Sequence, residues 1–182
     1  MGLAHIRKGF QAVALALLPC AVAAPQASAD GSLEYAVKGA YLYKMLPFVD
    51  WPQNVFPTPN SPVTICILGR DPFGPALDKA VADQHVGAHP VVIRRDIAPG
   101  DTSCQVVFVD TDDASAMPAF DGRPVLTVTD SGASAHGVVA FVVEQNHVRF
   151  DIDDAMAAKD GLSISSKLLD LARKVKPRKA AP

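Results

Sequence analysis

Two apolar stretches, Val63-Thr64-Ile65-Cys66-Ile67-Leu68 and Cys104-Gln105-Val106-Val107-Phe108-Val109, decide the fold of this sequence. Each is short, rich in β-branched residues and apolar on both alternating faces, which is typical of a central strand in a parallel sheet. Residues 74–81 follow the first stretch and predict a helix, because Pro75 suits the first turn of a helix. A strand followed by a helix and further strands is the pattern of an α/β fold.

The remaining strand pattern sets the expected size of the sheet. Further strands are predicted at residues 90–95, 125–128, 138–143 and 147–152. The last two are separated only by Glu144-Gln145-Asn146, a connection typical of a β-hairpin. We therefore expect an α/β fold with a mixed, mainly parallel sheet of about five to six strands, flanked by helices and followed by a C-terminal hairpin and helix.

Alternation within the last predicted strand distinguishes its two faces. Apolar side chains occupy every second position and charged side chains occupy the positions between them, with Val148, Phe150 and Ile152 alternating with Arg149, Asp151 and Asp153. Successive side chains of a strand point to opposite sides, so one face of this strand is predicted to be exposed to solvent.

A long helix is predicted before the sheet, over residues 33–49. Its apolar residues cover most of its circumference, and Glu34, Lys38 and Lys44 mark its more exposed side. The helix is expected to end before Trp51-Pro52, because a residue that precedes proline avoids the helical conformation.

Two further helices and a tail are predicted in the second half of the chain. A short helix is expected over residues 113–120, and a final amphipathic helix over residues 165–175. Basic residues near the end of this last helix complement its dipole. Residues 177–182 are expected to form a disordered basic tail, since exposed runs of one charge are usually solvated.

The first 29 residues have the three parts of a signal peptide. Arg7 and Lys8 give a positive start, residues 9–18 are apolar, and Ala27-Ser28-Ala29 forms a small-residue cleavage site before Asp30. The apolar run is shorter than the roughly 20 residues that a membrane-spanning helix needs. We expect cleavage and export to the periplasm, with no direct membrane insertion of the mature chain.

Two alternatives bear on this leader. Ala21-Val22-Ala23 is a competing cleavage site, and Cys20 would serve a lipoprotein, although Pro19 is not the small residue expected before a lipidated cysteine. After cleavage, residues 30–182 are expected to form a single α/β domain, because their number suits one compact unit.

Composition and charge exclude two broad classes of protein. The chain has 17 basic and 19 acidic residues, and removal of the leader leaves 15 basic and 19 acidic residues, a net charge of −4. That balance argues against a nucleic-acid-binding domain, which carries an excess of basic residues. With 49% apolar and 20% charged residues, the chain has the composition of a folded domain rather than a disordered one.

Cleavage leaves two of the three cysteines, Cys66 and Cys104, in the mature chain. Both lie in predicted strands, and neighbouring strands bring Cα atoms to about 5 Å, which a disulfide can span. In an oxidising compartment we expect a Cys66–Cys104 disulfide. The alternative is two separately buried thiols, because a free cysteine packs well as a small apolar side chain.

Two stretches resemble catalytic loops without completing them. Residues 69–74 have the two glycines of a phosphate-binding loop, but Pro75-Ala76 stand where lysine and serine or threonine are needed. Ser134 and His136 lie in a glycine-rich stretch that lacks the second glycine of a nucleophile elbow. Neither stretch predicts catalysis.

Metal ligands are not predicted either. His85 and His89 are four residues apart, but Gly87 and Pro90 indicate a turn, and two imidazoles rarely hold a metal alone. The aspartates at residues 151–154 lack the glycine and distal glutamate of a calcium loop. We therefore predict no catalytic residue, no metal site and no cofactor, and a binding module rather than an enzyme.

Motifs along the mature chain have a specific order and spacing. They lie at residues 35–43, 48–52, 65–74, 124–128, 148–153 and 161–169. Together they cover nearly all of the mature chain and resemble the YfiR-like family of periplasmic regulators. The resemblance implies an α/β domain, with a homodimer as a common assembly.

The resemblance also implies a function and a partner. The protein would bind the periplasmic sensor domain of an inner-membrane diguanylate cyclase and hold the enzyme inactive, which lowers cyclic-di-GMP signalling and so affects biofilm formation. The implied partner-binding residues are Val139, Asp151, Met156 and Ala157. A second interpretation of Met156 is that it packs under the last helix, because methionine often fills gaps in a core.

Two features depart from the family pattern. Many relatives carry a second cysteine pair near the start of the hairpin, whereas residues 133–140 contain no cysteine. Asp153 stands where the family usually has asparagine, which is expected to add negative charge to the proposed surface.

A rival hypothesis is a periplasmic protein that binds a small molecule. Open α/β sheets usually hold ligands in a crevice at the carboxyl ends of their strands, which here would lie near residues 69–73.

Overall fold

The computed structural model describes residues 27–110, 114–130 and 136–179. The strands are β1 Val49–Asp50, β2 Val63–Gly69, β3 His85–Val86, β4 His89–Arg94, β5 Val106–Asp110, β6 Leu126–Thr129, β7 Val139–Glu144, β8 His147–Asp153, β9 Ser163–Ile164 and β10 Lys174–Lys176. Eight of these form one sheet in the order β10-β8-β7-β6-β5-β2-β4-β3, and β1 pairs separately with β9. The predicted α/β fold is confirmed.

The sheet is mixed and mostly parallel. Strands β4, β2, β5, β6 and β7 run parallel to their neighbours, and β8 turns back antiparallel to β7. The edge strand β3 is antiparallel to β4, whereas β10 at the other edge is parallel to β8. Eight strands are present where about five to six were predicted, because the two short edge strands carry too little apolar pattern to be recognised.

The α-helices are α1 Ala27–Lys44, α2 Pro75–Val81, α3 Asp154–Lys159 and α4 Ser166–Leu171, and 3-10 helices span Leu46–Phe48, Gln53–Val55 and Ala114–Phe120. The first predicted helix therefore ends near Lys44 rather than at Val49, which lies in β1. Pro47 lies within the short 3-10 turn that follows, where its missing amide cannot continue an α-helix.

The two faces of the sheet are covered differently. On one face, α1 and the other helices pack on a continuous core that includes Leu42, Ile65, Phe108 and Phe141, all fully buried. On the other face, a smaller cluster forms over β2 and β5, where the 3-10 helix with Phe120 covers Cys66 and Val107. The central strands are thus buried on both sides, as their apolar sequences predict.

The predicted disulfide joins Cys66 to Cys104, with 5.8 Å between the two Cα atoms. Both cysteines are buried in the smaller cluster. The bond ties the segment between β4 and β5 to the central strand β2, and it closes a loop with a sequence separation of 38. The alternative of two separate thiols is not observed.

The C-terminal segment differs from the prediction of a single helix over residues 165–175. Helix α4 ends at Leu171, whose side chain is 66% exposed, and Ala172 is already extended. The amide of Arg173 then donates to the carbonyl of Phe150, and β10 follows alongside β8. Pairing with β8 takes the place of the last predicted helical turn, and it brings Arg173 and Lys176 to the aspartates of β8.

Candidate partner-binding surface

The candidate surface is built on the hairpin of β7 and β8. Its two-residue turn places Gln145 and Asn146 at φ values of 50° and 62°. Two consecutive positive φ values are those of a type I′ turn, which matches the twist of a hairpin. The resulting register pairs Ala140 with Asp151 and Val142 with Arg149, so these side chains share one face of the sheet.

The opposite face of the hairpin belongs to the core. Phe150 and Ile152 are buried there, and Phe150 contacts the ring of Tyr41 in α1. The face that carries Asp151 is different, because no described helix packs on it and a shallow groove of about 420 Å³ opens there. The groove is lined by His136, Gly137, Ala140, Asp151, Ile152, Asp153, Lys174, Val175 and Lys176. We call this face of β7, β8 and β10 the open face.

Gly137 brings the start of the hairpin close to β6. A Cβ atom at this position would lie 2.7 Å from the carbonyl oxygen of Thr127, which is closer than any real contact allows. The neighbouring amide of Val138 donates to the hydroxyl of Thr127 at 3.0 Å, which also holds this segment against β6. This close approach sets the position of the groove wall.

The structure separates the four predicted partner-binding residues. Asp151 lies on the open face with a partly exposed side chain. Val139 and Ala157 are 0% exposed and belong to the core, so their side chains are not part of the surface and that prediction is corrected. Met156 is half-buried and packs against the same core. Alternation explains the burial of Val139, because it pairs with Ile152 on the core side.

Three aspartates near the end of β8 are each bonded to a basic residue of the C-terminal segment. Arg173 donates to both carboxylate oxygens of Asp151 at 2.8 and 2.5 Å. Lys176 donates to Asp153 at 2.8 Å. Arg178 donates to both oxygens of Asp154 at 2.7 Å, although the sequence had placed this arginine in a disordered tail.

Asp153 has a structural role that the sequence comparison did not predict. Its carboxylate caps α3 by accepting from the amide of Met156 at 2.8 Å. Burial raises the pKa of Asp153, but hydrogen bonds from Lys176 and from backbone amides outweigh burial and hold the pKa below its ordinary value. The expected extra negative charge at this position is therefore neutralised by Lys176 and by the helix terminus.

Two cations remain on the open face after these pairs are formed. Within the part of the chain that the structure describes, neither Arg149 nor Lys174 has a carboxylate at ion-pair distance, and both are exposed. The uncompensated charge that this face presents to solvent is positive, although the sequence comparison suggested an acidic surface. A polar rim around small apolar residues such as Ala140 suits a protein contact.

A buried charge cluster lies elsewhere, where α1 crosses the carboxyl end of β6. Lys38 is 1% exposed and donates to Asp130 at 2.7 Å and to Glu34. The hydroxyl of Tyr35 donates to the same Asp130 at 2.9 Å. Burial, followed by the hydrogen bond to Asp130, raises the pKa of Tyr35 above its ordinary value. The prediction that Lys38 marks an exposed side of the helix is wrong, because its partner is 92 residues away in the sequence.

The loop at residues 69–73, near which a small-molecule site was expected, is held by contacts of its own side chains. Phe73 is buried, with its ring 5.6 Å from that of Tyr35 and 4.7 Å from that of Phe108. Asp71 accepts from the amides of Phe73 and Gly74, and Arg95 donates to Asp71 at 2.6 Å. These contacts hold the loop that follows β2 against α1 and β5.

Other residues considered in the sequence have plain structural roles. His89 stacks on Phe56 with 4.2 Å between ring centroids, and its Nδ1 lies 2.6 Å from the carbonyl oxygen of Ser61. His85 and His89 belong to paired strands β3 and β4, with a turn at Gly87 between them. Ser134 and the predicted signal peptide up to residue 26 lie outside the described residues.

The described residues contain neither a cluster of metal ligands nor a membrane-spanning helix. No group of three or more histidine, cysteine, aspartate or glutamate side chains in these ranges is arranged to hold a metal ion. Among the same residues, no helix combines the length and the apolar character needed to cross a membrane.

The fold and the surface define a disulfide-bonded α/β domain with one open sheet face. Residues 35–173 match the family model described as DUF4154, YfiR/HmsC-like, and the chain therefore belongs to the YfiR/HmsC-like family. Members of this family are periplasmic regulators. No curated protein matches the chain.

Proposed function

We propose that this protein is a periplasmic repressor that binds the periplasmic sensor domain of a membrane-bound diguanylate cyclase and so lowers cyclic-di-GMP signalling. It acts by binding rather than by catalysis. The signal-peptide pattern of the first 29 residues directs the chain to that compartment. Membership of the YfiR/HmsC-like family is the observation that carries this proposal.

The open face supports a protein contact as the mode of action. It combines small apolar side chains with a charged rim, and helices cover the opposite face of the same strands. Asp151 helps to shape this face through its bonds to Arg173, while Arg149 and Lys174 supply charge that a partner can meet. Complementary charge of this kind steers encounter and sets specificity.

The proposal is tested with the purified periplasmic domain of a diguanylate cyclase from the same genome. Binding of the wild type is compared with that of the double variant Arg149→Glu/Lys174→Glu, which reverses the two uncompensated cations without removing an ion pair. We expect at least about tenfold weaker binding, mainly through slower association. Cellular cyclic-di-GMP should rise correspondingly when the variant replaces the wild type.

A charge-matched control is available in Lys79→Glu/Lys167→Glu, since both lysines are exposed on α2 and α4, away from the open face. This control should bind like the wild type. Equal weakening in both double variants, or in neither, would contradict docking on the open face. If the wild type binds no cyclase periplasmic domain from that genome, the proposed function itself is wrong.

A further inference from the structure

Residues 173–178, which we call the C-terminal strap, are attached to β8 mainly through charge. The strap forms one short parallel ladder, with Lys174 opposite Asp151 and Lys176 opposite Asp153. Its apolar contribution is small, because Val175 is only half-buried and Lys176 is 71% exposed. Segments with few buried apolar contacts open at low cost.

The three ion pairs make the strap complementary to β8 at fixed positions. Cations at 173, 176 and 178 meet Asp151, Asp153 and Asp154 respectively. The amide of Arg173 also donates to the carbonyl of Phe150, so the strap uses backbone hydrogen bonds as an added strand does. The edge of β8 therefore recognises an extended segment with this spacing of positive charge.

Asp154 restricts what can replace the strap. Its side chain is buried, and both of its oxygens accept from Arg178. Loss of the arginine alone would leave a buried carboxylate without its cation, which is strongly unfavourable. Any segment that takes the place of the strap must therefore bring a basic residue to Asp154.

We propose that the edge of β8, with Asp151, Asp153 and Asp154, is a binding site for an extended protein segment that carries basic residues at the spacing of 173, 176 and 178. The C-terminal strap occupies this site within the chain and competes with such a segment. A partner that displaces the strap would pair with β8 and would also remodel the open face, because Lys174 and Lys176 line its groove. This site does not depend on the identity of the partner proposed above.

The test uses a fluorescein-labelled peptide with the sequence of residues 172–179 and the full-length protein. In the triple variant Arg173→Ala/Lys176→Ala/Arg178→Ala, the internal competitor is weakened and the β8 carboxylates are intact. The matched control Lys44→Ala/Lys79→Ala/Lys167→Ala removes the same charge from exposed lysines of α1, α2 and α4. We expect the triple variant to bind the peptide at least about tenfold more tightly than the control, because the competent state is more populated.

Two further measurements locate the binding. Adding Asp151→Asn to the triple variant should weaken peptide binding about tenfold, which a binding site elsewhere would not show. Equal affinity of the triple variant and the charge-matched control, or no effect of Asp151→Asn, would overturn the proposal.

The wild-type chain provides a test that does not depend on the folding of any variant. Excess peptide should speed hydrogen exchange at the amides of residues 173–176 of the protein and leave the amides of β7 protected. A peptide with glutamine in place of lysine and arginine should have no effect. Unchanged exchange at peptide concentrations that saturate the triple variant would refute displacement of the strap.

The same peptide distinguishes an external partner from a second copy of this chain. Sedimentation of the wild type should give the same mass with and without the peptide. A dimer that the peptide dissociates would show that the site exchanges straps between copies, and the proposal of an external segment would then be wrong.

Discussion

Strands β2 and β5 bury both of their faces, whereas β8 buries one face and the edge strand β10 is half-buried only at Val175. Apolar packing and the Cys66–Cys104 bond hold the first region. Ion pairs from the C-terminal strap hold the edge of the second. The first region therefore has the character of a scaffold, and the second that of an exchangeable surface.

The two regions differ because apolar burial stabilises the first and ion pairs exposed to water stabilise much of the second. Burial of apolar groups is insensitive to moderate changes of pH and salt, whereas exposed ion pairs are screened by salt and depend on the ionisation of carboxylates. A protein that must stay folded while one edge engages a partner can use both kinds of attachment. Matched changes in the two regions test this contrast.

Truncation of a side chain should lower the free energy of unfolding far more in the core than on the open face. Phe108→Ala removes a fully buried ring that packs against Phe73, and should lower the free energy of unfolding by about 3 to 5 kcal/mol. Val142→Ala, on the open face, should cost less than about 1 kcal/mol. Urea denaturation measures both. Similar losses at the two positions would mean that the open face is packed in solution.

Loss of the disulfide should have the next largest effect on the free energy of unfolding. Cys66→Ala/Cys104→Ala removes the link across a sequence separation of 38, and should lower the free energy of unfolding by roughly 3 to 4 kcal/mol, with some of that loss coming from a less constrained unfolded chain. Reduction of the wild type before denaturation should give a comparable loss. Non-reducing mass spectrometry of the wild type should show no alkylatable pair at these positions. Alkylation of both residues would contradict the bond.

Two lysines allow buried and exposed ion pairs to be compared. Lys38→Met removes a buried cation that donates to Asp130 and Glu34, and should cost about 3 kcal/mol. Lys176→Met removes a cation that is mostly solvated, and should cost less than about 0.5 kcal/mol. Thermal and urea unfolding of the two variants check the order. A larger loss of stability for Lys176→Met than for Lys38→Met would mean that the C-terminal strap, and not the buried cluster, is the more strongly held part.

The smallest expected effect concerns pH. Because the folded pKa of Asp153 is depressed, its contribution to stability is present above the unfolded value of about 3.9 and is lost as the pH falls through the folded value. Asp153→Asn keeps a capping side chain but removes the charge, so it should cost about 0.5 kcal/mol at pH 7 and progressively less as the pH falls below about 3.9. Urea denaturation at several pH values measures the difference, and a constant gap from pH 7 to pH 3 would show that the charge of Asp153 is not involved.

Features with a local signal could be predicted from the sequence. The hairpin was recognisable because residues 144–146 form a short polar connection between alternating strands, and its two-residue turn keeps the register that places Asp151 on the solvent side. The disulfide was expected because both cysteines lie in apolar stretches of strand-like sequence, and the structure places Cys66 in β2 and Cys104 just before β5. The resemblance to the family was confirmed over residues 35–173.

Features that depend on distant partners were missed. The amphipathic pattern of residues 165–175 predicts one helix, but Arg173 and Lys176 find aspartates on β8, and the chain becomes a strand there. Val139 and Ala157 were assigned to a surface by resemblance, although alternation and packing place both in the core. Spacing in the sequence does not report contacts that form only when remote segments meet.

The sequence by itself determined the α/β class and the central apolar strands, because these follow from periodicity and from short-range preferences of the backbone. Only the tertiary structure decided that Lys38 is buried against Asp130, that Phe73 packs between Tyr35 and Phe108, and that the basic C-terminal residues bind β8. These outcomes depend on which side chains the fold brings together. The residues involved are far apart in the sequence, so local sequence patterns do not predict their contacts.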